Sequence, residues 1–188
     1  MELFGIFLLV IGLVFLVVLI SLLLMYNSLI RLKNNIKKSW ANIDVLLKQR
    51  SDELPNLIAS VKGYMDHEQA TLEALIKART ELLQASTLSK KAVADNRITQ
   101  ALKSIFAVAE NYPTLKANEN FLKLQNRITT LENELADRRE FYNDSVNLYN
   151  IRIHSIPDVI VARMMHFTTD EDLFKATDED KAVAHVKI

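Results

Sequence analysis

Cysteine is absent, which excludes disulfides, thiol chemistry and a lipid-bearing cysteine. Glycine and proline are scarce, with Gly 3 and Pro 3 in 188 residues. A β fold with many tight turns uses more of both, so the scarcity favours long helices. Net charge is also missing, because 23 basic residues balance 23 acidic ones. A nucleic-acid binder needs a face that neutralises phosphates, and this balance argues against one. Gly5, Gly12 and Gly63 are isolated, so there is no glycine-rich loop to cradle a phosphate.

What is present begins with a long oily run. Leu3 to Met25 carries no charge. As a helix it spans roughly 34 Å, enough for a hydrocarbon core of about 30 Å. A cleaved signal peptide would want a basic start, a shorter apolar core and a small-residue cleavage site. Here the start is Met1-Glu2 and the run ends Leu22-Leu23-Leu24-Met25-Tyr26, so a retained anchor is expected. Arg31, Lys33, Lys37 and Lys38 follow before the first acid, Asp44. The positive-inside rule then puts the amino terminus outside and the body in the cytoplasm, at the cell membrane or an internal bacterial membrane. The same four cations can be read as contacts to anionic headgroups.

The body carries helical stripes. The first is Ile36, Trp40, Ile43, Leu47, Arg50, Leu54, Leu57/Ile58 and Val61, in steps of three and four. Pro55 lies inside it and predicts a bend, while Gly63 predicts the stop. Asp66 with Gln69 three residues on reads as a capping box opening a second helix over about 66–87. Leu72, Leu75/Ile76, Arg79 and Leu82/Leu83 face inward there. A third helix over about 90–111 carries Ile98, Leu102, Ile105, Ala109 and Tyr112. Pro113 ends it. A fourth, from between Thr114 and Asn118 to about Ser155, carries Phe121, Leu124, Ile128, Leu131, Leu135, Arg138, Tyr142, Val146 and Tyr149.

The order long, short, short, long closes as an up-down-up-down bundle with short loops. The expectation is an all-α fold: a transmembrane anchor over 1–25, then an antiparallel up-and-down four-helix bundle over 26–156. Residues 157–188 would supply a short amphipathic segment, Asp158 to Phe167, and a weakly ordered acidic tail.

These residues resemble the LemA family of bacterial membrane-anchored helical proteins. The resemblance covers nearly the whole chain. It rests on Tyr26-Asn27, Trp40, Ile43-Asp44-Val45, Gln49-Arg50, Asp52, Leu54-Pro55-Asn56-Leu57, Val61-Lys62-Gly63-Tyr64 and His67-Glu68. Farther on it rests on Ala109-Glu110-Asn111-Tyr112-Pro113, Leu115 to Asn118, Asn120-Phe121, Leu124-Gln125, Arg138-Arg139, Tyr142-Asn143 and Tyr149-Asn150. The family implies an amino-terminal membrane helix, a cytoplasmic four-helix bundle and no established enzymatic activity. It leaves Trp40, Arg50, Asp52, Pro55, Asn56, Glu68, Asn118 and Asn143 as motif residues of undefined role. One position departs from the family: it usually has Gly before the Phe that Phe167 matches, where this chain has His166.

Chemistry-bearing patterns are few. His67-Glu68 begins like a zinc-protease helix, but the second ligand would be residue 71, which is Thr71. No Glu has a His three residues later, against a di-iron bundle. No cofactor, metal or catalytic residue is expected. Arg50, Arg79 and Arg138 fall on apolar stripes, either with stems packed and heads wet or as buried pairs. Helix lengths suggest an ion pair of Asp44 with Arg138 or Arg139, whose loss by Asp44→Ala would cost about 3–5 kcal/mol if buried. Trp40 is expected in the core, its indole N–H needing a partner. Asn118 can cap the fourth helix, while Asn56, Asn143, Asn147 and Asn150 can pair across the bundle or face a partner. The function expected is a non-catalytic scaffold or adaptor with protein partners at the membrane. A lipid-binding or membrane-shaping module is the alternative, and a metal-dependent enzyme a more remote one.

Overall fold

The computed structural model describes residues 1–65 and 68–175. Among them lie six helices and no strand. They are α1 Glu2–Lys62, α2 Gln69–Gln84, α3 Leu88–Ala109, α4 Pro113–Lys116, α5 Glu119–His154 and α6 Asp158–Met164. The fold is all-α. The apolar run and the first body helix are one continuous element, and α1 ends at Lys62 with Gly63 in the following turn. Asp66 and His67, and Ala176 to Ile188 with His185, lie outside the described residues, so the capping role expected of Asp66 does too.

The chain divides into two compact units. The larger holds residues 40–141 together with Phe174 and Lys175. Four helical stretches form its bundle. Glu53 of α1 meets Arg127 of α5 at 3.8 Å, and Arg50 meets Glu132 at 3.7 Å. The numbers run in opposite senses, so α1 and α5 are antiparallel. Glu81 of α2 pairs with Arg97 of α3 across the short α2–α3 connection. Lys91 and Asp95 of α3 meet Asp44 and Arg50 of α1 in the same sense, which completes the up-and-down order. Ile43, Leu47, Leu54, Leu57 and Val61 are buried with Leu75, Ile98, Leu102, Ile105, Ile128, Leu131 and Leu135. Ala78, Ala92, Ala94 and Ala101 are buried as well.

Helix ends follow local chemistry. Thr87 Oγ1 accepts from the Lys90 amide at 3.3 Å, capping α3. Asn118 Oδ1 accepts from the amides of Asn120 and Phe121 at 2.9 and 3.1 Å, capping α5. Each bond satisfies amides that lack a partner in the first turn. Glu68 occupies the position before α2 and caps through its backbone carbonyl, which accepts from Thr71 and Leu72, without a side-chain cap bond.

Pro55 lies inside α1, and the helix continues through it. Proline has no amide hydrogen, so the carbonyl four residues earlier, that of Ser51, loses its helical donor. Arg79 of α2 takes that place: its Nε donates to the Ser51 carbonyl at 2.9 Å. The stripe position of Arg79 thus serves a backbone carbonyl. Arg79→Met is expected to cost about 1–2 kcal/mol in urea unfolding. In a Pro55→Ala background, where the carbonyl regains its helical donor, that cost is expected to shrink to about a few tenths. Equal costs in the two backgrounds would contradict the assignment.

The second unit holds residues 1–39 and 142–173. The residues of α1 through Ile20 are exposed, and this part is long and apolar enough to cross a membrane. Farther along, Leu29 and Ile36 are buried, as are Val146, Tyr149 and Ile153 of α5 and Val161 and Ala162 of α6. Arg152 donates to Ser28 Oγ, and the rings of Tyr26 and Phe167 lie 6.1 Å apart.

The segment after α6 differs from the expected loose tail as far as it is described. Asn150 donates from Nδ2 to the Glu171 carbonyl at 3.0 Å and accepts at Oδ1 from the Glu171 amide at 2.9 Å. The Tyr142 hydroxyl donates to the Asp172 carbonyl at 2.9 Å. Lys33 meets Glu171 at 3.6 Å, and His154 meets Asp170 at 2.8 Å. An amide side chain offers one donor and one acceptor face, which matches the two groups of an extended backbone residue. Polar composition suggested a solvated tail, but these polar groups are used.

His166 ends α6 with φ 59°, in the left-handed region that disfavours a side chain with a Cβ. The turn lets the Phe167 amide donate to the Ala162 carbonyl at 2.8 Å. His166→Gly is expected to raise stability by about 1 kcal/mol in thermal unfolding; a loss of stability would show that the imidazole makes a contact worth more than the strain.

Candidate functional site

The most unusual place in the larger unit is a charge centre built on two fully buried groups. Arg50 of α1 and Asp95 of α3 are both 0% exposed. Arg50 Nη1 donates to Asp95 Oδ1 at 2.8 Å, and Nη2 donates to Thr99 Oγ1 at 2.9 Å. Glu132 of α5 approaches Nη2 at 3.7 Å. Arg139 of α5 meets the other carboxylate oxygen of Asp95. Two guanidinium groups face two carboxylates, so the charges balance. Burial lowers the Arg50 pKa, opposed by the Glu132 charge. Burial, then the neighbouring Arg50 charge, pushes that of Arg139 down to about 10, still protonated at neutral pH.

The centre continues outward through aromatic rings. The Arg139 guanidinium lies 4.8 Å from the Phe174 ring centroid. Phe174 is buried, with its ring 6.3 Å from that of Trp40. Lys91 lies 5.5 Å from the Trp40 centroid and forms an ion pair with Asp44. Cations over ring faces gain from the ring quadrupole, more so when partly desolvated. A chain of contacts therefore runs Asp44, Lys91, Trp40, Phe174, Arg139, Asp95, Arg50.

Chemically, this arrangement suits holding rather than turnover. The Asp95 carboxylate is enclosed by two guanidiniums, and neither it nor Arg50 reaches solvent. Breaking such a pair strands a charge in a poor solvent, so the cluster fixes the faces that α1, α3 and α5 present to one another.

The ion pair expected between Asp44 and Arg138 or Arg139 does not form. Asp44 faces α3 and takes Lys91, Arg139 takes Asp95, and Arg138 is exposed. Helix length sets height along the bundle, but rotation of about 100° per residue sets facing. A step of three or four from Leu135 toward Tyr142 allows either Arg138 or Arg139 on the stripe; the fold uses Arg139. Asp95 was not singled out from sequence. Its signal was there, three residues before Ile98 and so on that helix's own stripe.

The other motif residues take separate places. Asp52 is exposed and accepts from Lys48 at 2.9 Å within one helix face. Asn56 is exposed, and Asn118 Nδ2 reaches the Tyr64 hydroxyl at 3.4 Å besides capping α5. In the smaller unit Asn143 is half-buried, Lys33 turns to Glu171 and Phe167, and Arg31, Lys37 and Lys38 are exposed. Tyr142 is buried there, and burial followed by the Glu171 and Asp172 charges pushes its pKa up to about 12. Among the described residues, no group of three or more His, Asp or Glu is placed to hold a metal ion.

A family model described as the LemA family matches residues 39–188. The chain belongs to the LemA family. Curated relatives include Magnetosome protein MamQ 2 of Paramagnetospirillum magneticum, 26% identical over 163 residues, covering 73% of this chain and 60% of the relative. MamQ of Magnetospirillum gryphiswaldense is 24% identical over the same length and coverage. Protein LemA of Metamycoplasma hominis is 28% identical over 144 residues, covering 74% of this chain and 64% of the relative. The match thus spans about 60% of the length of the first of these relatives. The family match covers the buried charge centre and the α6 segment, while the apolar first part of α1 lies before it.

The relocation of the pair reverses the expected mutational ranking. Asp95→Ala is expected to destabilise this LemA-family bundle by about 3–5 kcal/mol in chemical unfolding. Asp44→Ala, at a carboxylate 48% exposed, should cost about 1 kcal/mol or less. Equal losses, or the larger loss at Asp44, would contradict the geometry.

Proposed function

We propose that this LemA-family chain is a single-pass anchored scaffold, with its helical body on the cytoplasmic face of a bacterial membrane, recruiting protein partners there. The observation that carries this reading is the exposed apolar first part of α1 running without a break into the body. A helix exposed and apolar on all sides is a poor surface in water and a suitable one in lipid. The cations that follow it, Arg31, Lys37 and Lys38 exposed and Lys33 partly so, support the body-inside orientation. The buried charge centre supports a holding role, because its charged groups are committed to one another.

The chain contains no cysteine, so single substitutions report cleanly. A Glu134→Cys protein in intact cells is expected to resist a membrane-impermeant maleimide until the membrane is opened, while Glu2→Cys labels at once. Labelling of position 134 in intact cells would reverse the orientation, and release of the protein by alkaline carbonate would remove the anchor. Crosslinking in native membranes should capture a reproducible set of proteins; capture of lipid alone would refute the scaffold role.

A further inference from the structure

Within the smaller unit, α6 returns to the end of the apolar run. Phe167, just after α6, packs its ring against Tyr26, the residue following Met25. Arg152, shortly before α6, bonds Ser28. The helix has two faces of opposite use. Val161 and Ala162 are buried and dock it. Ile160 and Met164, one turn apart, are 55% and 65% exposed, with exposed Ile156 and Met165 flanking them. Arg163 is exposed beside this row.

Large apolar side chains gathered on one outer surface call for an occupant. The position names it, since the row sits level with the residues where the apolar run of α1 ends. A Tyr–Phe pair at that level matches the aromatic belt at membrane boundaries, and Arg163 and Arg31 supply cations for headgroups. We propose that Ile156, Ile160, Met164 and Met165 lie in the headgroup–acyl boundary of the bilayer that α1 crosses. α6 is then a second, peripheral hold on the membrane, and its αL turn at His166 brings Phe167 back to Tyr26. The inference rests on the anchored reading above and adds to it a lipid-contacting surface formed by a segment remote in sequence from the anchor.

The test uses the full chain in bilayers with one spin-labelled cysteine at a time. Ile160→Cys and Met164→Cys replace exposed side chains, so the fold is retained. Val14→Cys is the hydrocarbon reference, and Glu134→Cys the aqueous one. At positions 160 and 164, collision with oxygen is expected to exceed collision with a water-soluble nickel chelate several-fold relative to position 134. The depth expected is roughly 5–10 Å below the headgroups. Nickel access at 160 and 164 equal to that at 134, with position 14 still in lipid, would overturn the inference and leave the anchor standing. Shielding of 160 and 164 from both reagents would mean a protein contact and would overturn it as well. Nickel access at position 14 would instead overturn the anchored reading itself.

Discussion

A guanidinium with no exposed surface constrains everything around it. Moving such a charge out of water costs several kcal/mol, and only well-placed acceptors offset that. Arg50 finds them on two other helices, Asp95 and Thr99 on α3 and Glu132 on α5. Arg139 completes the pairing of Asp95. Leucine and isoleucine stripes tolerate small slips and rotations, because apolar contact is not directional. A buried ion cluster does not, since one turn of slip would leave a charge without a partner. The register of α1, α3 and α5 in this unit is therefore fixed by these four charged side chains together with the apolar core.

The same rule, that buried polar groups need partners, explains features that otherwise look unrelated. The carbonyl freed by Pro55 is taken by Arg79, and the first amides of α5 are taken by Asn118. In the other unit, Asn150 serves both backbone groups of Glu171. At Pro55 and Asn150 a residue unfavourable for a helix interior marks a place where another segment is held, while Asn118 serves its own helix as a cap. Asn118 and Asn150 of this chain thus have structural duties that can be stated atom by atom.

For function, the division of polar and apolar groups matters more than any single residue. Charged groups in the bundle interior are committed to each other. The large apolar side chains left outside lie for the most part on the first part of α1 and around α6, both in the smaller unit.

The sequence by itself determined the helices, their order, the span of the apolar run and most of the buried stripes. All of these follow from interactions within a few turns, where the 3.6-residue period and the Gly and Pro breaks are decisive. Gly63 stopped α1 and Asn118 capped α5 for reasons visible in the neighbouring residues. The tertiary structure alone decided which charges meet. Asp44 took Lys91 rather than an arginine of α5, Arg139 rather than Arg138 turned inward, and Asp95 became the buried anion. It also decided that Asp170, Glu171 and Asp172 are fastened to α5. Each choice depends on how one helix is rotated against another, and that rotation is set by contacts between residues far apart in the chain.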